Sequence, residues 1–179
     1  MKKNILYILS SYNRFSGTPK KTYDLIEHSE NNSFLYVWSV AYSDEFKEGF
    51  VNITEKVFEG DYGRNLIKHI RSLLNIVDKN NIEIIQTHFF FGELLGGILK
   101  VLRPKVKLIV SFEGSMSAGF IKRSIQRNIY KIVDAFIYIS NYVKEEKEKV
   151  FPQLKKSQTL VIYNGCLLYT SDAADDSLR

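Results

Sequence analysis

The feature that most constrains the fold is a regular alternation of short apolar runs with amphipathic segments along residues 4–163. Several runs are continuously apolar and rich in isoleucine, valine and phenylalanine, which is typical of strands buried on both faces of a parallel sheet. The segments between them, such as residues 62–79, repeat apolar residues at helical spacing. This order predicts an α/β protein with a doubly wound parallel sheet and helices on both of its faces.

Element boundaries follow from this periodicity together with capping and helix-breaking residues. Thr18 and Pro19 predict a helix start, with threonine as the N-cap and proline at the first helical position. Prolines 104 and 152 predict two helix ends. The predicted strands cover residues 4–9, 34–40, 50–54, 82–87, 107–112, 135–139 and 159–163. The predicted helices cover residues 18–28, 62–79, 90–102, 119–133 and 141–150.

Composition limits the class of protein. The chain has 179 residues, 45% of them hydrophobic and 25% charged, with one cysteine and a net charge of +5. This suits one soluble domain, and no run approaches the roughly 18 apolar residues that span a bilayer. The N-terminus lacks the features of a signal peptide, and a single cysteine cannot form an internal disulfide. We therefore expect a cytoplasmic protein, with a basic excess that suits an anionic ligand or an anionic membrane surface.

The last fourteen residues differ in character from the rest of the chain. Lysine and isoleucine disappear after residue 165, and small and acidic residues take their place. Residues 166–175 resemble the in-frame translation of a transposon-type sequencing adapter, and such segments are set aside in fold reasoning. We therefore expect one domain over residues 1–165 and a non-native, disordered tail over residues 166–179. The alternative is a genuine short acidic tail.

Motif patterns exclude several classes of site. The first predicted strand is followed by one glycine, Gly17, so the Gly-x-Gly-x-x-Gly pattern of dinucleotide-binding domains is absent, as is a P-loop. The three histidines, His28, His69 and His88, are far apart in sequence and show no metal-ligand spacing, so we expect no metal. Basic and aromatic residues are not interleaved as in nucleic-acid-binding proteins, so we expect no nucleic-acid partner.

Candidate site residues follow the predicted strands. Ligands of doubly wound sheets bind at the carboxyl ends of the strands, near the point where the strand order reverses. A glycine there lets the backbone approach a phosphate, and a helix start offers free N–H groups; the alternative is an ordinary strand-to-helix turn. For the histidine at a strand end, the alternative to substrate contact is a buried core role. The residues at these positions are Ser16, Gly17, Thr18, His88, Glu113, Gly114 and Ser140.

Five segments in this order resemble a known family. They are Asn4-Ile-Leu-Tyr-Ile-Leu followed by Ser16-Gly-Thr, Ile82-Glu-Ile-Ile-Gln-Thr-His, Lys107-Leu-Ile-Val-Ser-Phe-Glu-Gly, Asp134-Ala-Phe-Ile-Tyr-Ile-Ser and Val161-Ile-Tyr-Asn-Gly. Together they are similar to the N-terminal domain of family-four retaining glycosyltransferases of the GT-B type. The resemblance implies a Rossmann-like domain that forms one half of such an enzyme and is truncated at residue 165.

The resemblance also implies a function. Family members transfer a sugar from a nucleotide-sugar donor, without a metal or other cofactor, in a cleft between two Rossmann-like domains. The implied acceptor is a glycan or a polyprenyl-phosphate-linked molecule in surface polysaccharide or lipopolysaccharide synthesis. Since the C-terminal domain holds most of the donor, we expect the fragment alone to be inactive. The alternative is a non-catalytic Rossmann-like module that binds a ligand or a partner.

Site roles are implied in the same way. Ser16, Gly17 and Thr18 match the loop near the donor phosphates, although the usual Gly-Gly is reduced to Ser-Gly. Position 88 matches a family histidine, and position 140 matches a serine at the domain cleft. The pair Glu113-Gly114 differs from the usual His-Gly at its first position. Glu113 is therefore the candidate for a sugar contact as a hydrogen-bond acceptor.

Two further surface features are predicted from composition. The basic residues 103, 105, 107, 122, 123, 127 and 131 are expected to form a solvated face. If they share one side of the molecule, they would instead hold it at anionic lipid on the inner face of the cell membrane. The phenylalanine triplet at residues 89–91 is expected to lie in the core.

Overall fold

A computed structural model describes residues 2–12, 17–39, 45–115 and 119–163. Within these ranges, seven parallel strands form one sheet, in the order β3-β2-β1-β4-β5-β6-β7. The strands are β1 (Asn4–Leu9), β2 (Asn32–Val37), β3 (Lys56–Glu59), β4 (Ile84–His88), β5 (Lys107–Phe112), β6 (Ala135–Tyr138) and β7 (Thr159–Val161). The helices are α1 (Gly17–Glu27), α2 (Glu45–Ile53), α3 (Leu66–Lys79), α4 (Phe89–Leu102), α5 (Phe120–Ile129) and α6 (Asn141–Val150), and a short 3₁₀ helix covers Pro152–Lys156.

The strand order reverses between β1 and β4. The chain first adds β2 and β3 on one side of β1, and then crosses back to place β4 through β7 on the other side. This is a doubly wound, Rossmann-like α/β fold, and the predicted fold class is confirmed. The reversal places the switch point of the sheet between the carboxyl ends of β1 and β4, where such folds bind ligands.

Strand register separates two apolar layers on the faces of the sheet. Leu6 is aligned with Ile85, and Ile85 with Leu108, so all three point to the face that α3 and α4 cover. Tyr7 and its neighbour Leu35 point to the opposite face, where α1 and α2 pack. Alternation of side chains along each strand produces this division. Helices therefore cover both faces, as the sequence predicts.

Glycines bring α4 unusually close to its neighbours. A Cβ built on Gly96 would lie 2.7 Å from Thr87 Cγ2 of the sheet, and one built on Gly97 would lie 3.0 Å from Ile129 Cγ1 of α5. At Gly96 a side chain would force a neighbour to shift, and at Gly97 the Ile129 side chain would have to give by a few tenths of an ångström. The small residues thus set how α4 packs against the sheet and α5, directly beneath the edge where β4 and β5 end.

The predicted strand at residues 50–54 is wrong. These residues belong mostly to α2, and β3 follows only at Lys56–Glu59. Phe50 is fully buried and contacts the rings of Tyr12 and Tyr23, whereas Val51 is 54% exposed. A cluster of β-branched and aromatic residues indicates a strand locally. Here the packing of one apolar face against α1 favours a helix instead.

Several helix boundaries also differ from the prediction. α1 begins at Gly17, so Thr18 lies in its first turn and is not the N-cap. α3 begins at Leu66, where the Asn65 side chain accepts a hydrogen bond from the Lys68 N–H. α5 ends at Ile129, and the 3₁₀ helix after Pro152 was not expected. The predicted tail, residues 166–179, and the last predicted residues 164 and 165 lie outside the described residues.

Candidate functional site

The predicted site residues lie along one edge of the sheet. Because all strands are parallel, the carboxyl ends of β1, β4, β5 and β6 meet at the same edge. Gly17 and Thr18 begin α1 there, Glu113 and Gly114 follow β5, and Ser140 follows β6. His88 is the last residue of β4. Ser16 lies outside the described residues.

Glu113 is the centre of a charged cluster at this edge. Its Oε1 accepts hydrogen bonds from His88 Nδ1 at 2.9 Å and from Ser111 Oγ at 2.8 Å. Lys21 Nζ lies 3.3 Å from Oε1 and 3.4 Å from Oε2. A carboxylate only accepts, so the His88 Nδ1 must carry the proton in this contact. Oε1 is therefore well occupied, and among the described residues Oε2 has one contact, the long one to the lysine.

The fold explains how these four side chains meet. His88 is aligned with Ser111 in the β4–β5 register, and Glu113 follows two residues later on the same side. Lys21 lies in the second turn of α1, which packs on that face of the sheet. The crossover from β1 to α1 thus brings a side chain 92 residues away in sequence to the end of β5.

The cluster keeps Glu113 ionised. Burial raises the pKa of its carboxyl group, which is 5% exposed. The hydrogen bond from His88, the charges of His88 and Lys21, and the hydrogen bond from Ser111 outweigh this effect and lower the pKa to about 2. The side chain is a buried carboxylate at neutral pH, stabilised by partners from three elements.

A cavity of about 360 Å³ opens beside Glu113 and Gly114. Phe89 and Phe90 line one side of it at the start of α4, and Phe112 lines another. Phe89 has a φ of +58°, a conformation that costs a bulky residue of order 1–3 kcal/mol, so the turn directly after His88 is strained. Of the phenylalanine triplet, only Phe91 packs against the core as predicted; the other two face the cavity or solvent.

Buried polar side chains from three helices also line the cavity. Glu93 Oε2 accepts a hydrogen bond from Gln126 Nε2 at 2.7 Å and one from Tyr130 Oη at 3.0 Å. Lys147 Nζ lies 5.2 Å from the centre of the Phe112 ring. Burial raises the pKa of Glu93 and lowers that of Lys147, and their opposite charges partly offset both effects. Sequence reasoning missed this group. Its signal is Glu93, the one acidic residue of α4, a helix whose remaining residues are apolar except for Lys100.

The remaining predicted residues have identifiable local contacts. Ser140 Oγ accepts a hydrogen bond from the Val143 N–H at 3.1 Å and caps α6. A Cβ built on Gly17 would meet no atom of the described residues within 4 Å. Thr18 is buried, and its carbonyl accepts the Thr22 hydroxyl. His88 is 1% exposed, so in this structure it contacts the Glu113 carboxylate from the protein interior and orients it.

The basic residues do not share one face. Arg103 is paired with Asp78, and Lys107 with Asp134, both near the amino ends of the strands. Lys122 belongs to α5 and lies over the Phe90 ring at the rim of the cavity, 5.3 Å from its centre. Among the described residues, no three His, Cys, Asp or Glu side chains come together as metal ligands would. No helix in the same ranges is long and apolar enough to cross a membrane.

Comparison with known protein families decides the classification. The model of Glycosyltransferase Family 4 matches residues 22–166, which is most of the chain. The chain belongs to Glycosyltransferase Family 4. The cluster around Glu113 therefore lies at the switch-point edge of a Family 4 N-terminal domain. No curated protein sequence matches the chain.

Solved structures share the fold at low sequence identity. HepE from Anabaena, solved with UDP-glucose, is 16% identical with a TM-score of 0.74, and the match covers 98% of this chain and 48% of HepE. A glycosyltransferase from Rickettsia africae is 12% identical with a TM-score of 0.74, over 98% and 48% of the two chains. The lipopolysaccharide outer core galactosyltransferase WaaB is 14% identical with a TM-score of 0.64, over 93% and 47%. The chain thus spans about half the length of these structures, as one half of a GT-B fold.

Proposed function

We propose that this chain is the N-terminal, acceptor-side half of a retaining glycosyltransferase. The intact enzyme would move a sugar from a nucleotide-sugar donor to a glycan or lipid-linked acceptor, in surface polysaccharide or lipopolysaccharide synthesis. One observation carries the proposal: in a Family 4 chain, Lys21, His88 and Glu113 converge on the switch-point edge of the sheet. The HepE structures support a nucleotide-sugar donor, because they contain UDP or UDP-glucose.

The start of α1 is the part of this half that suits the donor diphosphate. Gly17 begins an eleven-residue helix, and a Cβ built on it would meet no atom of the described residues within 4 Å. A helix N-terminus combines free N–H groups with a positive dipole end, which favours phosphate. Pro19 has no N–H group, so the donors at this end are those of Gly17, Thr18 and Lys20. Lys21, one turn further, is bound to Glu113.

Glu113 suits a contact with sugar hydroxyl groups. With a pKa of about 2 it stays ionised at neutral pH, so it can accept hydrogen bonds but is a poor proton donor. His88, Ser111 and Lys21 fix its position and occupy mainly Oε1. A hydroxyl of the donor or acceptor sugar would therefore bind at Oε2. This role replaces the histidine that the family resemblance led us to expect at this position.

The half-site alone is not expected to catalyse transfer. A helix end contributes about 0.3–1 kcal/mol to charge stabilisation, whereas enzymes lower barriers by roughly 8 kcal/mol or more. The missing contribution would come from a second domain that closes over the donor and supplies further cations and dipoles. The proposed active species is therefore a longer protein that carries this chain.

We also propose that α5 contacts an anionic membrane surface, at the inner face of the cell membrane. Phe120 and Ile121 at its start are 86% and 76% exposed. The helix carries Lys122, Arg123 and Arg127 and no acidic residue. Exposed apolar side chains beside basic ones suit the boundary between acyl chains and anionic headgroups. Such a contact would bring the cavity beside α5 close to a lipid-linked acceptor.

The test is the release of nucleoside diphosphate from UDP-glucose, UDP-galactose, UDP-N-acetylglucosamine and GDP-mannose, with a lipid extract as acceptor. We expect release by a longer protein that carries this chain and no release by residues 1–165. Proton NMR of the product would show an anomeric configuration equal to that of the donor. Equal turnover by residues 1–165 would contradict the bipartite proposal, and an inverted product would contradict retention.

A further inference from the structure

The turn between β4 and α4 is made by a single residue, Phe89. β4 ends at His88 and α4 begins at Phe89, so no loop residue lies between the strand and the helix. By comparison, residues 139 and 140 separate β6 from α6. The φ of Phe89, +58°, lies in the left-handed region, which is costly for a residue with a bulky side chain. The change of direction from strand to helix therefore takes place at one strained residue.

Burial of the Phe89 side chain does not account for this conformation. The residue is 46% exposed beside the cavity, so removal of its ring from water returns little of the cost. Glycine would adopt a positive φ at the same place without strain. The gain from the turn therefore lies in the position of the residues that it connects.

Both sides of the turn are held by the sheet. On the strand side, His88 is extended, with φ −131° and ψ 144°, and is aligned with Ser111 of β5. On the helix side, α4 packs so closely that a Cβ built on Gly96 would lie 2.7 Å from Thr87 Cγ2. A negative φ at residue 89 would send the chain in another direction. Either α4 would then move away from the sheet or His88 would leave its register.

The imidazole ring of His88 has few other contacts that fix its orientation. Nδ1 donates to Glu113 Oε1 at 2.9 Å, whereas Nε2 is buried and has no hydrogen-bond partner among the described residues. An unpaired buried nitrogen lowers stability. The strained turn and the unpaired nitrogen thus belong to adjacent residues, and both costs accompany one contact, the hydrogen bond to Glu113.

We propose that the left-handed turn at Phe89 positions His88 so that its Nδ1–H meets the carboxylate of Glu113. Phe89 is a positioning residue, which acts through its backbone conformation and through His88. Lys21 and Ser111 contact the same carboxylate from α1 and β5, so these two contacts do not pass through the turn. The value of the turn for sugar transfer rests on the proposed function, whereas its effect on Glu113 does not.

Two substitutions separate the turn from the ring. Phe89→Gly removes the ring and allows a positive φ, whereas Phe89→Pro removes the ring and excludes it, because proline fixes φ at about −65°. Proline is otherwise tolerated at the first position of a helix, and the extended conformation of His88 suits a residue before proline. Phe89→Val opposes the turn less strongly, through its β-branched side chain, and takes the place of the proline variant if that variant does not fold.

Asn81→Val is the matched control. Asn81 also has a positive φ, +48°, but it lies between α3 and β4 at the amino edge of the sheet. Valine at this position therefore introduces the same kind of backbone strain at the opposite edge from Glu113. The control should lower the thermal unfolding midpoint and leave the Glu113 cluster unchanged.

The experiment is NMR spectroscopy of the 179-residue chain labelled with ¹³C and ¹⁵N. The carboxyl carbon of Glu113 is followed from pH 3 to pH 7, together with the Nδ1–H proton of His88. In the wild type, Phe89→Gly and Asn81→Val, Glu113 should stay largely ionised over this range and the Nδ1–H signal should be present. In Phe89→Pro, the pKa of Glu113 should rise by about 1–2 pH units, the effect of one lost hydrogen bond to a charged group, and the Nδ1–H signal should disappear. Phe89→Val should shift the pKa in the same direction by less.

Three results would overturn the proposal. An equal rise of the Glu113 pKa in Phe89→Gly and Phe89→Pro would mean that the ring, and not the turn, supports the contact. An equal rise in Asn81→Val would mean that any loss of stability disturbs Glu113. An unchanged pKa in folded Phe89→Pro, or in Phe89→Val where the proline variant is unfolded, would mean that other contacts place His88.

The outcome is separable from the proposed function, because the measurement needs no activity. If the turn controls Glu113 but a longer protein releases no nucleoside diphosphate, the positioning role stands and sugar transfer fails. If transfer is found but Glu113 does not respond to the turn, transfer stands and the positioning role fails.

Discussion

At the level of single residues, the charge of Glu113 depends on partners from three elements. His88 ends β4, Ser111 lies in β5 and Lys21 lies in α1, and each donates to the same carboxylate. Burial alone would favour the protonated acid, so the lowered pKa follows from the combined effect of these partners. The same coupling makes the carboxylate a contributor to stability.

The first prediction is a pH dependence of that contribution. The pKa of Glu113 is about 2 in the folded chain, against 4.5 for the ordinary group. A lowered pKa stabilises the fold fully above pH 4.5, and the gain is lost as the pH falls toward 2. The difference in unfolding free energy between the wild type and Glu113→Gln should therefore be on the order of 3 kcal/mol at pH 7 and shrink below pH 4.5.

Urea unfolding from pH 3 to pH 7 measures this difference. The exposed Glu30 supplies the control, because Glu30→Gln should show no comparable pH dependence. A constant difference across the range would mean that Glu113 is not held as a carboxylate by its neighbours.

At the level of elements, α4 is placed by its glycines. A Cβ on Gly96 would lie 2.7 Å from Thr87 Cγ2 and 2.8 Å from Leu108 Cδ1, whereas one on Gly92 would meet its nearest atom, Thr87 Cβ, at 3.7 Å. The two positions share one face of the helix, one turn apart. The first is too close for a side chain, and the second has room for a methyl group.

The second prediction compares these two positions. Gly96→Ala should lower the unfolding free energy by about 1–3 kcal/mol, because the sheet must shift to accept the methyl group. Gly92→Ala should be neutral or raise it by up to about 1 kcal/mol, because alanine favours the helix. Thermal unfolding of both variants tests the difference. An equal effect at both positions would contradict the close packing of α4.

The third prediction concerns the exposed start of α5. Replacing Phe120 and Ile121 together by serine should reduce co-sedimentation with vesicles that contain 30% phosphatidylglycerol, by about tenfold or more, because the apolar contact is lost. Ile67→Ser is the control, since Ile67 is 66% exposed on α3. Binding that is unchanged in the double variant, or equally lost in the control, would rule out a membrane contact through α5.

The elements also show what local sequence can and cannot predict. Residues 107–112 and 141–150 were predicted with the observed boundaries, because continuous apolar runs and charged amphipathic segments with clear breakers are unambiguous. Residues 50–54 were not, because packing of Phe50 against α1 overrode local strand propensity.

His88 and Glu113 were recognised as edge residues because each closes or follows a strand. Lys21, Glu93 and Gln126 were missed, because helical periodicity does not reveal which side chain reaches a distant strand end.

At the level of the whole molecule, the sheet edge that carries Glu113 is proposed to form half of a site that a second domain completes. The sheet reversal between β1 and β4 gathers the start of α1, Glu113 and the adjoining cavity on one edge. The chain spans about half of the HepE structure that it resembles. In the proposed enzyme, this edge would form one wall of the cleft and a second domain the other.

We propose that Glu113 and its partners serve sugar transfer, and the kinetics of a Glu113 variant test this role. In a longer protein that carries this chain, kcat/KM for transfer from the active nucleotide sugar is compared between the wild type, Glu113→Gln and the exposed control Glu30→Gln. We expect Glu113→Gln to lower kcat/KM by about 100-fold, comparable to the loss of one preorganised group in an active site, while the control stays within twofold. A folded Glu113→Gln protein with kcat/KM within twofold of the wild type would show that Glu113 does not serve sugar transfer.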